Sequence, residues 1–185
     1  MNPYALTLYA HFLGLIGLFV GYGLEWTASS LLRRSATADQ ARSYLSLYKL
    51  SLPVSGPALL LLILSGGYLA ALTGSMKYGW MSASLLAIVL ALLIGFVLLL
   101  PRMKKIRAAL PAGSAILPAE ALLRVQDPLI VTLIRVRFIL ALGIVYLMTV
   151  KPQAFSTALL VLLVALVLGA LSAASSWTKP STAGV

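Results

Sequence analysis

Five stretches of this chain stay apolar for long enough to cross a lipid bilayer, and nothing else narrows its fold so far. A helix needs about 20 apolar residues to span a hydrocarbon core of roughly 30 Å, and it must satisfy its own backbone polar groups there. The runs are Tyr4–Leu32, Leu52–Thr73, Trp80–Leu100, Pro128–Val150 and Ala154–Ser175. They predict an all-α, polytopic transmembrane helical bundle of five spans over residues 1–176, followed by a short tail, 177–185. Composition agrees, with 61% hydrophobic and only 10% charged residues. A soluble domain is nearer half apolar and about a quarter charged. Cysteine is absent, which removes disulfides, thiolate metal sites and cysteine nucleophiles.

The net charge of +10 does not form one basic patch among aromatics, as a nucleic-acid surface would, so nucleic acid is not an expected partner. Instead the basic residues flank the apolar runs, where they set orientation. One side holds Arg33, Arg34, Arg42, Lys49, Arg102, Lys104, Lys105, Arg107, Arg124, Arg135, Arg137 and, in the tail, Lys179; the other holds Lys77 and Lys151. Twelve against two places the amino terminus outside and the carboxyl terminus in the cytoplasm, consistent with an odd number of spans. The basic stretch "PRMKKIR" and its neighbours are the expected contact with anionic lipids.

Between the first two spans, "SATADQARSYLSLYKL" reads as a short interfacial helix carrying Tyr44, Leu45 and Tyr48 on one side. Pro53 and Pro57 shape the start of the second span. A proline-bounded loop, "LPAGSAILPAE", and a short helix lead to "VQDP", where Asp127 caps and Pro128 opens the fourth span. Lys151-Pro152 ends it. Trp80 and Trp177 suit interface anchors. The first run lacks a basic leader and a small-x-small cleavage site, so it reads as a retained span. The "PSTAGV" end reads as disordered.

The first span carries the chain's one histidine, His11, and one of its four acids, Glu25. At 100° per residue, Thr7, His11, Gly14, Leu18, Gly21, Tyr22 and Glu25 share one sector, with Gly17 at its edge. Leu6, Phe12, Ile16, Val20 and other large apolar residues occupy the rest. Glycines admit a neighbouring backbone, and polar side chains find partners there, so this sector should face protein. Ionisable groups inside a span mark functional sites by default. The structural alternatives are a His11 that bonds a neighbouring carbonyl or a tyrosine, and a Glu25 sitting at the headgroups. About 21 Å of helix axis separates the two, so they cannot act on one atom.

"LIRVRFILALGIVYLMTVKP" places two arginines in the fourth span, 200° apart on the wheel. Arg135 shares its side with Tyr146 and Thr149, the more polar side; Arg137 shares its own with Ala141, Ile144 and Met148. On that difference Arg135 should face the bundle and pair with Glu25, while Arg137 snorkels to the surface. The expected intramembrane polar site is therefore Tyr22, Glu25, Arg135 and Tyr146. Small residues at "LSGGYLAAL" and at Ala165, Gly169 and Ala173 read as packing surfaces.

No phosphate loop, zinc-protease motif or nucleophile elbow is present, and no catalytic residue or cofactor is predicted. One histidine excludes a bis-histidine haem within one chain. A His/Met arrangement of His11 with Met148 or Met81 leaves haem b or copper as an alternative. A His–Tyr–Glu proton path is a third reading.

An early "HFLGLIGLFVG", a mid-chain "LLLILSGGYLAAL" followed by "YGWMSASLLAIVLALLIG", and a late "VYLMTVKP" resemble small bacterial integral-membrane proteins of the domain-of-unknown-function 2269 family, over about residues 6–152. More distantly, the chain is similar to copper-resistance-D-like and haem-biosynthetic membrane proteins with a histidine in the first span, of which only His11 has a counterpart. The resemblance implies a helical bundle in the bacterial inner membrane. The function expected is a non-catalytic binding, accessory or permease-like module. Its partners would be the bilayer and another membrane protein or a second copy. The alternatives are a redox component binding haem or copper through His11 and a proton-coupled transporter using Glu25.

Overall fold

The computed structural model describes residues 2–113 and 116–178, and these fold as helices joined by short links. In order they are α1 (Pro3–Leu32), α2 (Ala38–Thr73), a 3-10 turn (Ser75–Lys77), α3 (Gly79–Leu93), a π segment (Ile94–Leu99), α4 (Leu100–Ala109), α5 (Ala119–Val125), α6 (Pro128–Val150), α7 (Phe155–Ser172) and α8 (Ser175–Thr178). Among the described residues five helical stretches are long and apolar enough to cross a membrane. The bridge between Thr37 and Ile116 is the one β-type pairing among them. Lys179 and the "PSTAGV" end lie outside the described residues.

Local chemistry sets the helix ends. The Asn2 side chain accepts from the Tyr4 N–H at 3.0 Å with Pro3 in the first helical position, the combination that best satisfies a helix start. Asp127 does the same for α6, accepting from the Leu129 N–H at 2.9 Å with Pro128 behind it. Lys151 ends α6 in the left-handed region, at φ 53°. Gly74, at φ 64°, ends α2 in the conformation glycine adopts most cheaply.

Three expectations from sequence need correction. The segment expected to be a separate interfacial helix is continuous with the second span: α2 runs unbroken for 36 residues through Pro53 and Pro57, about 54 Å of axis. Thr37 starts it, accepting from the Gln40 N–H at 3.3 Å. Its first turns bury Ala38, Ala41 and Leu45 in a core with Met103, Ile106 and Val125. That burial carries the helix past two prolines that would end an isolated one. Second, the third span does not stop at Leu100 but continues through the π segment into α4. Third, Trp80 is no interface anchor. It is 6% exposed and packs with Ala83, Ala87, Leu140 and Leu147, its flat ring filling space left by the alanines. Trp177 is exposed, and its indole N–H donates to Thr132 Oγ1 at 3.1 Å.

The π segment changes which way the third helix faces. Its buried positions follow the ordinary three- and four-residue steps through Trp80, Ala83, Ala87, Ala91 and Ile94. The next is Leu99, then Met103 and Ile106. One residue is thus gained on the buried stripe, and α4 meets the basic-end core that α3 would have missed.

Close helix approach comes from small residues. The sector of α1 expected to face protein does so: His11, Gly14, Leu18, Gly21, Tyr22 and Glu25 are all buried. Gly14 sits against Ala58 and Leu62, Gly17 against Ala58, and Gly21 against Ser55. On the other side of the bundle Gly169 meets the Val136 backbone and Gly143 meets Ala165. The large apolar side chains opposite, such as Phe12, Ile16, Leu160 and Leu163, are exposed on the bundle's outer surface, as lipid-facing residues are.

Side chains at the basic end tie the helices together. Arg33 donates to the Ser176 carbonyl at 3.1 Å, and Arg42 bonds the Pro111 carbonyl and Asp39. Arg102 lies 3.7 Å from Asp127.

A β-carbon on Gly21 would stand 2.6 Å from Ser55 Cβ and 3.1 Å from its backbone, whereas one on Gly23 would meet nothing within 4 Å. Gly21→Leu should therefore lower stability by about 1–3 kcal/mol through overpacking. Gly23→Leu should leave it unchanged or raise it by up to about 1 kcal/mol, leucine being the better helix former. Thermal unfolding of the two variants in detergent measures the difference.

Candidate functional site

Inside the bundle stands a buried ion pair. Arg137 Nη1 of α6 donates to Glu25 Oε2 of α1 at 2.7 Å, and both side chains are almost wholly buried. Ser51 of α2 shares its hydroxyl proton between the Tyr48 carbonyl at 2.7 Å and the other carboxylate oxygen at 3.3 Å. The Arg137 guanidinium also lies over the Tyr22 ring, 4.6 Å from its centroid. Tyr22 reaches it because residues three apart share a helix face with Glu25. Gly95 of the π segment completes the cradle: a β-carbon there would be 3.2 Å from Arg137 Cζ. Four helical stretches thus converge on one ion pair.

Glu25's partner is Arg137, not Arg135. Arg135 lies over Trp26, 5.0 Å from the ring centroid, and donates to the Ser172 carbonyl at the end of α7, where helix-end carbonyls attract a cation. The polarity that favoured Arg135 is on the outside of the bundle. Tyr146 is 52% exposed, and Thr149 turns its hydroxyl back to the Val145 carbonyl. Tyr146 therefore stands apart from the site. The usable signal was Ala141, one turn beyond Arg137, which is buried with Leu18, Tyr22 and Ala58. A small residue at that spacing marks close approach of another helix better than a distant tyrosine does.

Beside the ion pair is a cavity of about 280 Å³ between α2 and the α3–α4 helix. Glu25, Arg137, Ser51 and Ser55 contribute its polar wall, and Leu45, Leu52, Leu92, Phe96, Leu100 and Met103 its apolar one. Lys49, Lys104 and Arg107 stand at its margin. Of the residues singled out from sequence, the structure brings together Tyr22 and Glu25; it adds Arg137, Ser51 and Gly95, and the cavity itself.

His11 occupies a separate position on the α1–α2 interface. It is 8% exposed, and its Nδ1 is 3.0 Å from Ser65 Oγ. Ser65 directs its single proton to the Leu61 carbonyl at 2.5 Å, so the imidazole donates through Nδ1. Gly66 leaves room for the ring, a β-carbon there falling 3.1 Å from Cε1. Nε2 is buried without a hydrogen-bond partner among the described residues. Met148 and Met81 pack in the cluster of Trp80, Ala87 and Leu147 between α3, α6 and α7. The structure does not gather His11 and either methionine into one ligand set, so the residues do not fit a His/Met haem or copper centre within one chain.

The family described as "Predicted integral membrane protein (DUF2269)" matches residues 6–152. The chain belongs to this family. The match runs from the first turn of α1 past the end of α6 and takes in every residue of the ion pair and the cavity. It gives an integral membrane protein with no reaction attached. Neither the curated proteins nor the solved structures yield a match.

A buried pair that loses one member leaves the other charge uncompensated, at a cost of about 3–5 kcal/mol, whereas replacing both by apolar residues is often neutral. Glu25→Gln and Arg137→Gln should each destabilise by that amount, and the double variant Glu25→Leu/Arg137→Met should recover most of it. Arg135→Gln should cost about 1 kcal/mol, the scale of one hydrogen bond. Denaturation in detergent reads all four; a fully stable Arg137→Gln variant would show that the pair does not hold the bundle.

Proposed function

We propose that this protein is a non-catalytic binding module of the bacterial inner membrane and that the cavity between α2 and the α3–α4 helix is its binding site. One observation carries this reading: a hydrogen-bonded ion pair stands in the wall of a cavity rather than in close-packed core. Pure packing would close apolar side chains around such a pair, and buried ionisable groups that line cavities in membrane proteins serve ligands or ions. An accessory or permease-like role uses the same site. The twelve basic residues on one side against two on the other favour an amino terminus outside and a carboxyl terminus in the cytoplasm. In that orientation the cavity opens at the cytoplasmic half of the membrane, where the basic segments meet anionic lipid. A second copy or another membrane protein is the remaining proposed partner.

Two experiments test this reading. A photoreactive phenylalanine analogue placed at Leu92, in the cavity wall, should yield a discrete adduct in living cells. The same group at Leu160, 60% exposed on α7, should yield only the mixture of bulk lipids. Identical adducts at both positions would overturn the cavity as a binding site. A carboxyl-terminal reporter that works only in the cytoplasm should be active, and one that works only outside should be silent; the reverse pattern inverts the orientation.

A further inference from the structure

The four acidic side chains of this protein are all spoken for. Glu25 pairs with Arg137, Asp39 with Arg42, Glu120 with Arg124 and Asp127 with Arg102. Lys49, Lys104 and Arg107 are exposed at the margin of the cavity, and no hydrogen bond or ion pair holds any of them among the described residues. None of the four acidic side chains is left to neutralise them, so a ligand can supply their counter-charge.

The walls below these cations have a matching profile. On α2 the cavity face runs from Lys49 to Leu52 and Ser55, and on the facing helix from Arg107 and Lys104 to Leu100, Phe96 and Leu92. Steps of three and four residues keep Lys49, Leu52 and Ser55 on one face of α2 and Leu100, Lys104 and Arg107 on one face of α4, and the residue added in the π segment brings Phe96 and Leu92 to the same cavity. Both faces turn from basic to apolar in the same direction. Leu52 and Phe96 are 54% and 56% exposed, so the cavity opens sideways toward lipid. At its floor Arg137 is already neutralised by Glu25, which leaves an anion no reason to go deeper than the margin.

We propose that this cavity seats one anionic phospholipid of the surrounding bilayer, its phosphate among Lys49, Lys104 and Arg107 and one acyl chain in the apolar slot beneath. The proposal rests on the cavity being the binding site and adds the chemistry of what it binds. A volume of about 280 Å³ is at the lower limit of ligand pockets, about 300–1,000 Å³. It accommodates part of one chain and leaves the second in the bilayer. A free inorganic anion would use the cations but not the slot.

The test uses the full-length protein reconstituted in vesicles of equal parts phosphatidylethanolamine and phosphatidylglycerol, then released into mild detergent. Native mass spectrometry reads which lipid stays bound. Wild type should retain phosphatidylglycerol in clear excess. Lys49→Gln/Lys104→Gln should lower that excess by about fivefold per charge removed, the gain expected for a basic residue near an anionic lipid surface. Leu92→Trp should lower it by filling the slot. Arg34→Gln/Lys105→Gln, which removes two charges at the same end but outside this cavity, should leave it in place.

Equal retention of the two lipids by wild type would overturn the proposal. So would an equal loss in the Arg34/Lys105 variant, which would reduce the effect to general attraction by basic loops. Undiminished retention in Leu92→Trp would place the lipid on the surface and not in the cavity. Displacement by inorganic phosphate at matched ionic strength would assign the cations to a free anion. A discrete Leu92 photoadduct that is not a lipid would defeat this proposal while leaving the cavity as a binding site; no discrete adduct would defeat both.

Discussion

A carboxylate and a guanidinium sealed inside a helical bundle determine how the rest of this structure can be assembled. Neither Glu25 nor Arg137 could occupy its place alone, because an uncompensated charge in that setting is too costly to keep. Their contact fixes α1 against α6 at a defined height, something apolar packing does only loosely, since lipid tails are as apolar as leucine and provide no drive for helices to associate. Ser51 and Gly95 add the requirement that α2 and the π segment be in register with the same point. The α1–α2 glycine contacts are what allow this, because Ser51 reaches the carboxylate only when the two helices are close.

The two ends of the bundle are held by different means. At the basic end arginines do the joining, reaching carbonyls and acids on loops and on neighbouring helices. At the other end the joint is backbone to backbone: the Gly79 N–H donates to the Gln153 carbonyl at 3.2 Å, and a β-carbon at Gly79 would fall 2.4 Å from the Phe155 nitrogen. There Lys77 and Lys151 are the cationic side chains among the described residues. Long cationic side chains therefore gather at one end of the bundle, and a backbone-to-backbone joint at Gly79 closes the other.

Much of this was legible in the sequence for one reason: apolar length and helical period are properties a chain cannot hide. The five spans, the Asp127–Pro128 start of α6 and the protein-facing sector of α1 follow from those two properties. What was not legible depends on neighbours. A wheel drawn for α6 alone weighs Tyr146 and Thr149 as polar, but it cannot tell that both look outward, so it selects Arg135. Pro53 and Pro57 look like the start of a helix until the burial of Ala38, Ala41 and Leu45 is known. Trp80 looks like an anchor until its burial against Leu140 and Leu147 of α6 is known. Serines at 51 and 65 gave no signal, since a hydroxyl in a membrane helix is most often satisfied by its own preceding turn; here each does that and also holds an ionisable partner.

The π segment makes the third membrane helix two helices with different addresses. One residue corresponds to about 100° of rotation, so the added residue turns everything after Leu99 by more than a quarter revolution relative to an uninterrupted α-helix. Before it, the buried edge of the helix serves the α6–α7 side; after it, the edge serves the α2–α5 side. The same six residues bring Gly95 to Arg137 and Phe96 to the cavity. Rotational phase, and not position along the chain, is thus what the segment controls. A homologue one residue shorter here would keep every side chain that makes the site and yet present the basic and apolar stripe of α4 to the wrong neighbour.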